Sequence, residues 1–121
     1  MDVRQPVYVR ANVYLGGASP FEAEVAATVL GGDVSVRIVD EGGEVFLETQ
    51  LPEGFEDAVG AVVGAADLPP VRFVDADFEN PDGSSVVADT DLTGRRKTAG
   101  HTYPAGPIAT LSAGSGRVRI W

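Results

Sequence analysis

Val34-Ser35-Val36-Arg37-Ile38-Val39-Asp40-Glu41-Gly42-Gly43-Glu44-Val45-Phe46-Leu47-Glu48-Thr49-Gln50-Leu51 is the stretch that decides the fold. Val34, Val36 and Ile38 alternate with Ser35, Arg37 and Val39. Beyond Asp40-Glu41-Gly42-Gly43, Val45, Leu47, Thr49 and Leu51 alternate with Phe46, Glu48 and Gln50. A period of two sends successive side chains to opposite faces of a strand. Two such runs around a Gly-containing loop of about four residues predict a β-hairpin, with the glycines supplying the positive φ of the turn. The chain is therefore read as mainly β, an antiparallel hairpin-containing sheet or sandwich.

Working outward, Gln5 to Leu15 also alternates, with Val7, Val9, Ala11, Val13 and Leu15 on one face and Tyr8, Arg10, Asn12 and Tyr14 on the other. This predicts a strand, ended by Gly16-Gly17-Ala18-Ser19-Pro20. Phe21 to Leu30 stays open between a weak helix and an extended segment. After the hairpin the period changes: Phe55, Ala58, Val59, Val62, Val63 and Ala66 recur at three and four, with Glu53, Glu56 and Asp57 where a helix dipole favours negative charge. One helix is predicted over Pro52 to Ala66. Gly60 and Gly64 each cost about 1 kcal/mol in a helix interior, so packing must hold it. Val71 to Glu79 reads as a strand carrying Asp75, Asp77 and Glu79 on one face. Short strands are expected at Ser85–Ala88, Ile108–Leu111 and Arg117–Trp121, with Trp121 plugging the core or covering a sheet edge.

At 121 residues the chain is expected to form a single β-rich domain over 1–121, burying roughly two thirds of its unfolded surface. It has no cysteine, so disulfides and thiolate chemistry are excluded. No apolar run approaches the roughly 20 residues of a membrane-spanning helix. Met1 to Pro6 has no basic region leading into an apolar one, so the chain, if complete, is expected to be cytoplasmic. A net charge of −9 argues against nucleic acid, whose binding needs a Lys- and Arg-rich surface. The charge is unevenly spread: after Asp91 there is no carboxylate, and Arg95, Arg96, Lys97, Arg117 and Arg119 carry all the charge. Either the basic end pairs with the acidic body, or Arg95-Arg96-Lys97 meets an anionic ligand or acidic partner.

Complete chemical motifs are missing. Asp75, Asp77 and Glu79, with Asn80 and Asp82, supply hard oxygens of the kind calcium prefers, but alternate carboxylates also describe a solvated strand face. Asp89-x-Asp91-x-Thr93-Gly94 begins like a calcium loop, yet its twelfth position is Gly100, and Arg95 and Arg96 would repel a cation. The loop reads better as internally compensated, with arginines bridging carboxylates. His101 stands apart from any Ser, Cys or zinc-ligand pattern. No catalytic residue, metal or cofactor is assigned. The ligand-contacting candidates are Asp89, Asp91, Arg95, Arg96, His101 and Tyr103.

Asn12-Val13-Tyr14-Leu15-Gly16-Gly17-Ala18-Ser19-Pro20-Phe21, Glu79-Asn80-Pro81-Asp82-Gly83, Asp89-Thr90-Asp91 and Gly94-Arg95-Arg96, taken in order, resemble the C-terminal portion of right-handed parallel β-helix glycoside hydrolases of the β-xylosidase-like kind. Leu92-Thr93 and Ile108 depart from that pattern, standing where aromatic residues would be expected. The resemblance implies the closing end of a parallel β-helix, with the catalytic carboxylates on earlier coils outside this chain. It thus implies a non-catalytic C-terminal or accessory domain, carbohydrate-associated, whose partners are a carbohydrate or an upstream β-helix domain. A strand edge over Val7–Leu15 without its neighbouring coil would also favour a homo-oligomer. The alternatives are a small acidic intracellular protein-interaction module and a small hydrolase using Asp75, Asp77 or Glu79.

Overall fold

The computed structural model describes residues 8–69 and 76–121. Its largest sheet is the one the opening stretch predicts. β3 (Ser35–Glu41) and β4 (Glu44–Leu51) pair antiparallel from Ser35↔Gln50 to Glu41↔Glu44. Register leaves only Gly42 and Gly43 between the strands, at φ +66° and +98°, a tighter turn than the four-residue loop expected. Two consecutive positive-φ residues match the right-handed twist of a hairpin, and glycine adopts them without a Cβ clash. β9 (Gly114–Arg119) then pairs antiparallel with β4, so the sheet order is β3-β4-β9.

The alternation sorts this sheet into two unlike faces. Arg37 donates to Glu48, Arg117 reaches both Glu41 (2.6 Å) and Glu48 (3.5 Å), and Arg119 reaches Glu44 (2.7 Å). The Arg117 guanidinium also lies 4.0 Å from the centre of the Phe46 ring. The Arg37 hydrogen bond holds the Glu48 carboxyl below its ordinary range. The basic end of the chain thus pairs with the acidic body. The opposite face carries Val36, Ile38, Leu47, Leu51 and Val118. Leu51, Phe55, Ala58 and Ile108 form the buried apolar core, and Ile108 has no exposed surface.

The helix expected over Pro52 to Ala66 is not formed. Phe55–Asp57 and Ala65–Asp67 are single 3-10 turns, and between them run β5 (Val59–Ala61) and β6 (Val63–Gly64). The three-and-four spacing of apolar residues was genuine, but Val59, Val62 and Val63 are β-branched and Gly60 and Gly64 are poor helix formers. Gly54, at φ +85°, turns the chain after Pro52 and seats Phe55 in the core. β5 then pairs antiparallel with β8 (Thr102–Pro104), and β6 with β7 (Val87–Ala88). These ladders supply the backbone partners that a helix would have supplied internally. Trp121 is a second correction: it is 82% exposed, on the polar side of the sheet, and covers nothing in the core.

Of the strand expected over Gln5 to Leu15, Gln5 to Val7 lie outside the described residues. Val9 and Ala11 are half-buried and Tyr8, Arg10 and Asn12 exposed, but left-handed Ala11 (φ +56°) interrupts the extended backbone, and only Val13–Tyr14 forms a strand. β1 (Val13–Tyr14) pairs in parallel with β2 (Thr28–Val29), so the open reading of Phe21 to Leu30 resolves against a helix: its end is extended, and Phe21 to Glu24 is a turn closed by Glu24 N–H donating to Phe21 O (3.0 Å). Asn12 and Tyr14 converge on Glu24: its Oε1 accepts from the Asn12 backbone (2.9 Å) and side chain (2.8 Å), and its Oε2 accepts from the Tyr14 hydroxyl. That hydroxyl holds the Glu24 carboxyl low, and the Tyr14 phenol is correspondingly raised. Asp75 and most of the Val71–Glu79 strand expectation lie outside the described residues. Phe78 and Glu79 are exposed, and Glu79 forms a single bridge with Ser85.

A substitution pair tests the backbone argument. Gly43→Ala forces an L-residue into φ +98° and is expected to destabilise by about 1 kcal/mol or more. Gly60→Ala, in open space without a positive φ, is expected to be neutral or to stabilise by about 0.4–1 kcal/mol. Urea midpoints moving in the same direction for both would overturn this account.

Candidate functional site

Two loops near the C-terminus share one design. Asn80-Pro81-Asp82-Gly83-Ser84 closes with Asn80 N–H donating to Ser84 O (2.7 Å) and Gly83 N–H to Asn80 O (2.8 Å). Asp91-Leu92-Thr93-Gly94-Arg95 closes with Asp91 N–H donating to Arg95 O (2.9 Å) and Gly94 N–H to Asp91 O (3.0 Å). Gly83 and Gly94 both stand at φ +82°. Each is a tight turn completed by a left-handed glycine, and each has a side-chain acceptor inside it. In the first, Asp82 Oδ1 accepts from the backbone (3.0 Å) and hydroxyl (2.6 Å) of Ser84.

In the second loop the acceptor is Asp91, only 7% exposed. Its Oδ1 takes Thr93 N–H (2.9 Å), the Thr93 hydroxyl (2.7 Å) and Arg95 N–H (2.9 Å), while its Oδ2 takes Ala109 N–H (2.9 Å). Burial pushes this carboxyl up. The four donors from Ala109, Thr93 and Arg95 outweigh burial and hold it at about 2, against an ordinary 3.8. Its neighbour Asp89 accepts from Arg96 Nη2 (2.8 Å), which keeps that carboxyl low as well.

The arginine-bridged loop expected from sequence is therefore only partly formed. Arg96 bridges Asp89 through a single nitrogen, but Asp91 is satisfied by backbone and hydroxyl donors, and Arg95 contributes its N–H rather than its guanidinium. Backbone donors are invisible in sequence until the turn is known. Arg95, Arg96 and His101 are exposed, and Tyr103 is half-buried in β8 with its hydroxyl accepting Thr98 N–H (2.7 Å). Among the described residues no three His, Asp or Glu side chains are grouped to hold a metal ion.

Of the six sequence candidates, Tyr103 lines a cleft of about 530 Å³ between the Tyr8–Ala11 segment and strands β5, β6 and β8. Tyr8, Arg10, Asp67, Lys97 and Thr102 line it too; of these, sequence pointed only to Lys97, as part of the Arg95-Arg96-Lys97 run. Asp89, Asp91, Arg95, Arg96 and His101 do not line it. Lys97 Nζ stands 5.9 Å from the centre of the Tyr103 ring. Asp67 Oδ2 accepts Gly64 N–H (2.8 Å), which fixes that carboxylate at the end of β6. The lining mixes aromatic rings, charged groups of both signs and a hydroxyl. A second concavity, about 470 Å³, is chiefly apolar and runs from Val13 and Leu15 across Val36, Ile38 and Leu47 to Leu111.

These elements define a β-rich domain of small sheets and clamped loops. No protein-family model matches the chain, and no curated protein matches it. Among solved structures it is similar to XylC, determined in complex with xylose: identity is 42%, the TM-score is 0.86, and the match covers 98% of this chain. The chain spans only 18% of the length of XylC.

Proposed function

We propose that this chain is one carbohydrate-associated, non-catalytic accessory domain, the C-terminal portion of a β-helix glycoside hydrolase of the β-xylosidase-like kind. The observation that carries the reading is the similarity to XylC, 42% identical over 98% of this chain and solved with xylose. Parallel stacking at the N-terminus supports it. Arg10↔Val25, Val13↔Thr28 and Tyr14↔Val29 all pair at one offset, and the left-handed residues Ala11 (φ +56°) and Ala26 (φ +60°) recur at that same offset. A bend repeated in register between stacked parallel strands is what successive coils of a solenoid require.

The exposed apolar side of the large sheet fits the same reading. Val36 and Ile38 are 62% and 68% exposed, which suits a domain seated against further protein, here an upstream β-helix domain. The carboxylates of the Asp89–Arg96 loop are engaged in holding the loop, which fits a part without its own acid–base pair.

The test is a chimera in which this chain replaces the matching portion of XylC. The chimera is expected to fold and bind xylose, whereas the 121-residue chain alone is expected to leave an aryl β-xyloside unhydrolysed. Enzymic turnover by the isolated chain, or a chimera that folds but fails to bind xylose, would sink the proposal.

A further inference from the structure

We infer that the cleft bounded by Tyr8 and Tyr103 is a saccharide-binding subsite, taking a short, neutral, xylose-based oligosaccharide. The inference rests on the carbohydrate-associated reading above and assigns that association to particular side chains. Three properties of the cleft carry it. Its volume of about 530 Å³ falls within the range of roughly 300–1,000 Å³ typical of small-molecule sites. Its walls combine two tyrosines with the small, extended segment Val59–Val63, which offers the C–H faces of a pyranose ring flat apolar contact.

Its polar groups are the third property. Arg10 and Lys97 are donors, Asp67 is an acceptor, and the hydroxyls of Thr102 and Tyr8 are both. A sugar hydroxyl donates and accepts at once, so a lining of mixed sign satisfies it. With Arg10 and Lys97 set against a single Asp67 carboxylate, the lining is close to charge-balanced rather than a cluster of cations for a phosphate or uronate, and the chain around it carries a net charge of −9. The Asp67 carboxylate is already oriented by Gly64 N–H, and the Tyr103 ring by the bond from Thr98, so both stand in place before a ligand arrives.

Titration of the full 121-residue chain with xylotriose, followed by amide NMR, tests this directly. Shifts are expected to concentrate at residues 59–63 and 102–106. Tyr8→Ala, at an exposed ring, is expected to weaken binding about tenfold through lost apolar contact. Tyr8→Phe should hold within about threefold, and Asp67→Asn should weaken binding while keeping its bond to Gly64. Ile38→Thr, at a residue that does not line the cleft, should change nothing. Binding unaffected by Tyr8→Ala, or mapping elsewhere, would overturn this subsite and leave the accessory-domain reading standing. No xylotriose binding at all would overturn it too, and the XylC chimera would then judge that broader reading separately.

Discussion

Asp91→Ala is expected to destabilise the chain by about 3–5 kcal/mol, whereas Glu41→Ala in the hairpin turn is expected to change the urea midpoint little. The Asp91 carboxylate serves three backbone N–H groups and one hydroxyl from a site that is 7% exposed. Truncation removes four hydrogen bonds to a charged acceptor, each worth about 1.5–3 kcal/mol, and water restores part of that at the exposed Thr93 and Arg95. Glu41 meets Arg117 in water, where an ion pair contributes little. Asp91→Asn would keep the shape but present an amide N–H₂ to donors on one side, so it should fall between the two. Equal midpoints for Asp91→Ala and Glu41→Ala would mean that the loop is merely solvated.

The same carboxylate gives the chain a pH signature. Its folded value of about 2 lies below the ordinary 3.8, so the folded state binds the proton less readily than the unfolded one. The resulting stability, about 2 kcal/mol, is complete above the unfolded value and is lost as pH falls from about 4 toward 2. Asp91→Asn should flatten the stability profile across that window while leaving the profile above pH 5 parallel to wild type. An unchanged acid limb in the Asn variant would remove Asp91 as its source.

The sequence declared the large sheet because one face carries its ion pairs and the other its apolar side chains, so the polarity alternates with a period of two even where Val36 and Ile38 stay exposed. It misread Pro52 to Ala66 because β5 and β6 are short, and the half-buried residues Val62, Val63 and Gly64 do not alternate. In such a segment apolar spacing says little, and the valine and glycine content was the better guide. The candidate site divided along similar lines. Asp89 and Asp91 were conspicuous as paired charges, yet what they do depends on the amides of Thr93, Arg95 and Ala109, a contact 18 residues apart in the last case. Tyr8 and Arg10, Asp67, and Lys97 come from three separate segments, and only the fold brings them to one cleft.

Ile108→Ala is the second large effect expected, a loss of about 3 kcal/mol, set against less than about 0.5 kcal/mol for Ile38→Ala. Both changes remove the same atoms. Ile108 is wholly enclosed, so its truncation forfeits transfer energy and leaves a cavity, whereas Ile38 is 68% exposed and its loss opens no void. Ile108 also sits one residue before the Ala109 N–H that Asp91 accepts, and its neighbour Pro107 accepts Leu92 N–H (2.8 Å). The carboxylate clamp and the core side chain therefore fix the same segment from its two sides. Residues that share a segment in this way do not contribute independently. The Asp91→Ala/Ile108→Ala double variant should accordingly lose less than the sum of the single losses, because releasing the segment once already frees both contacts. Strict additivity in chemical denaturation would separate the clamp from the core and leave the loop a surface feature.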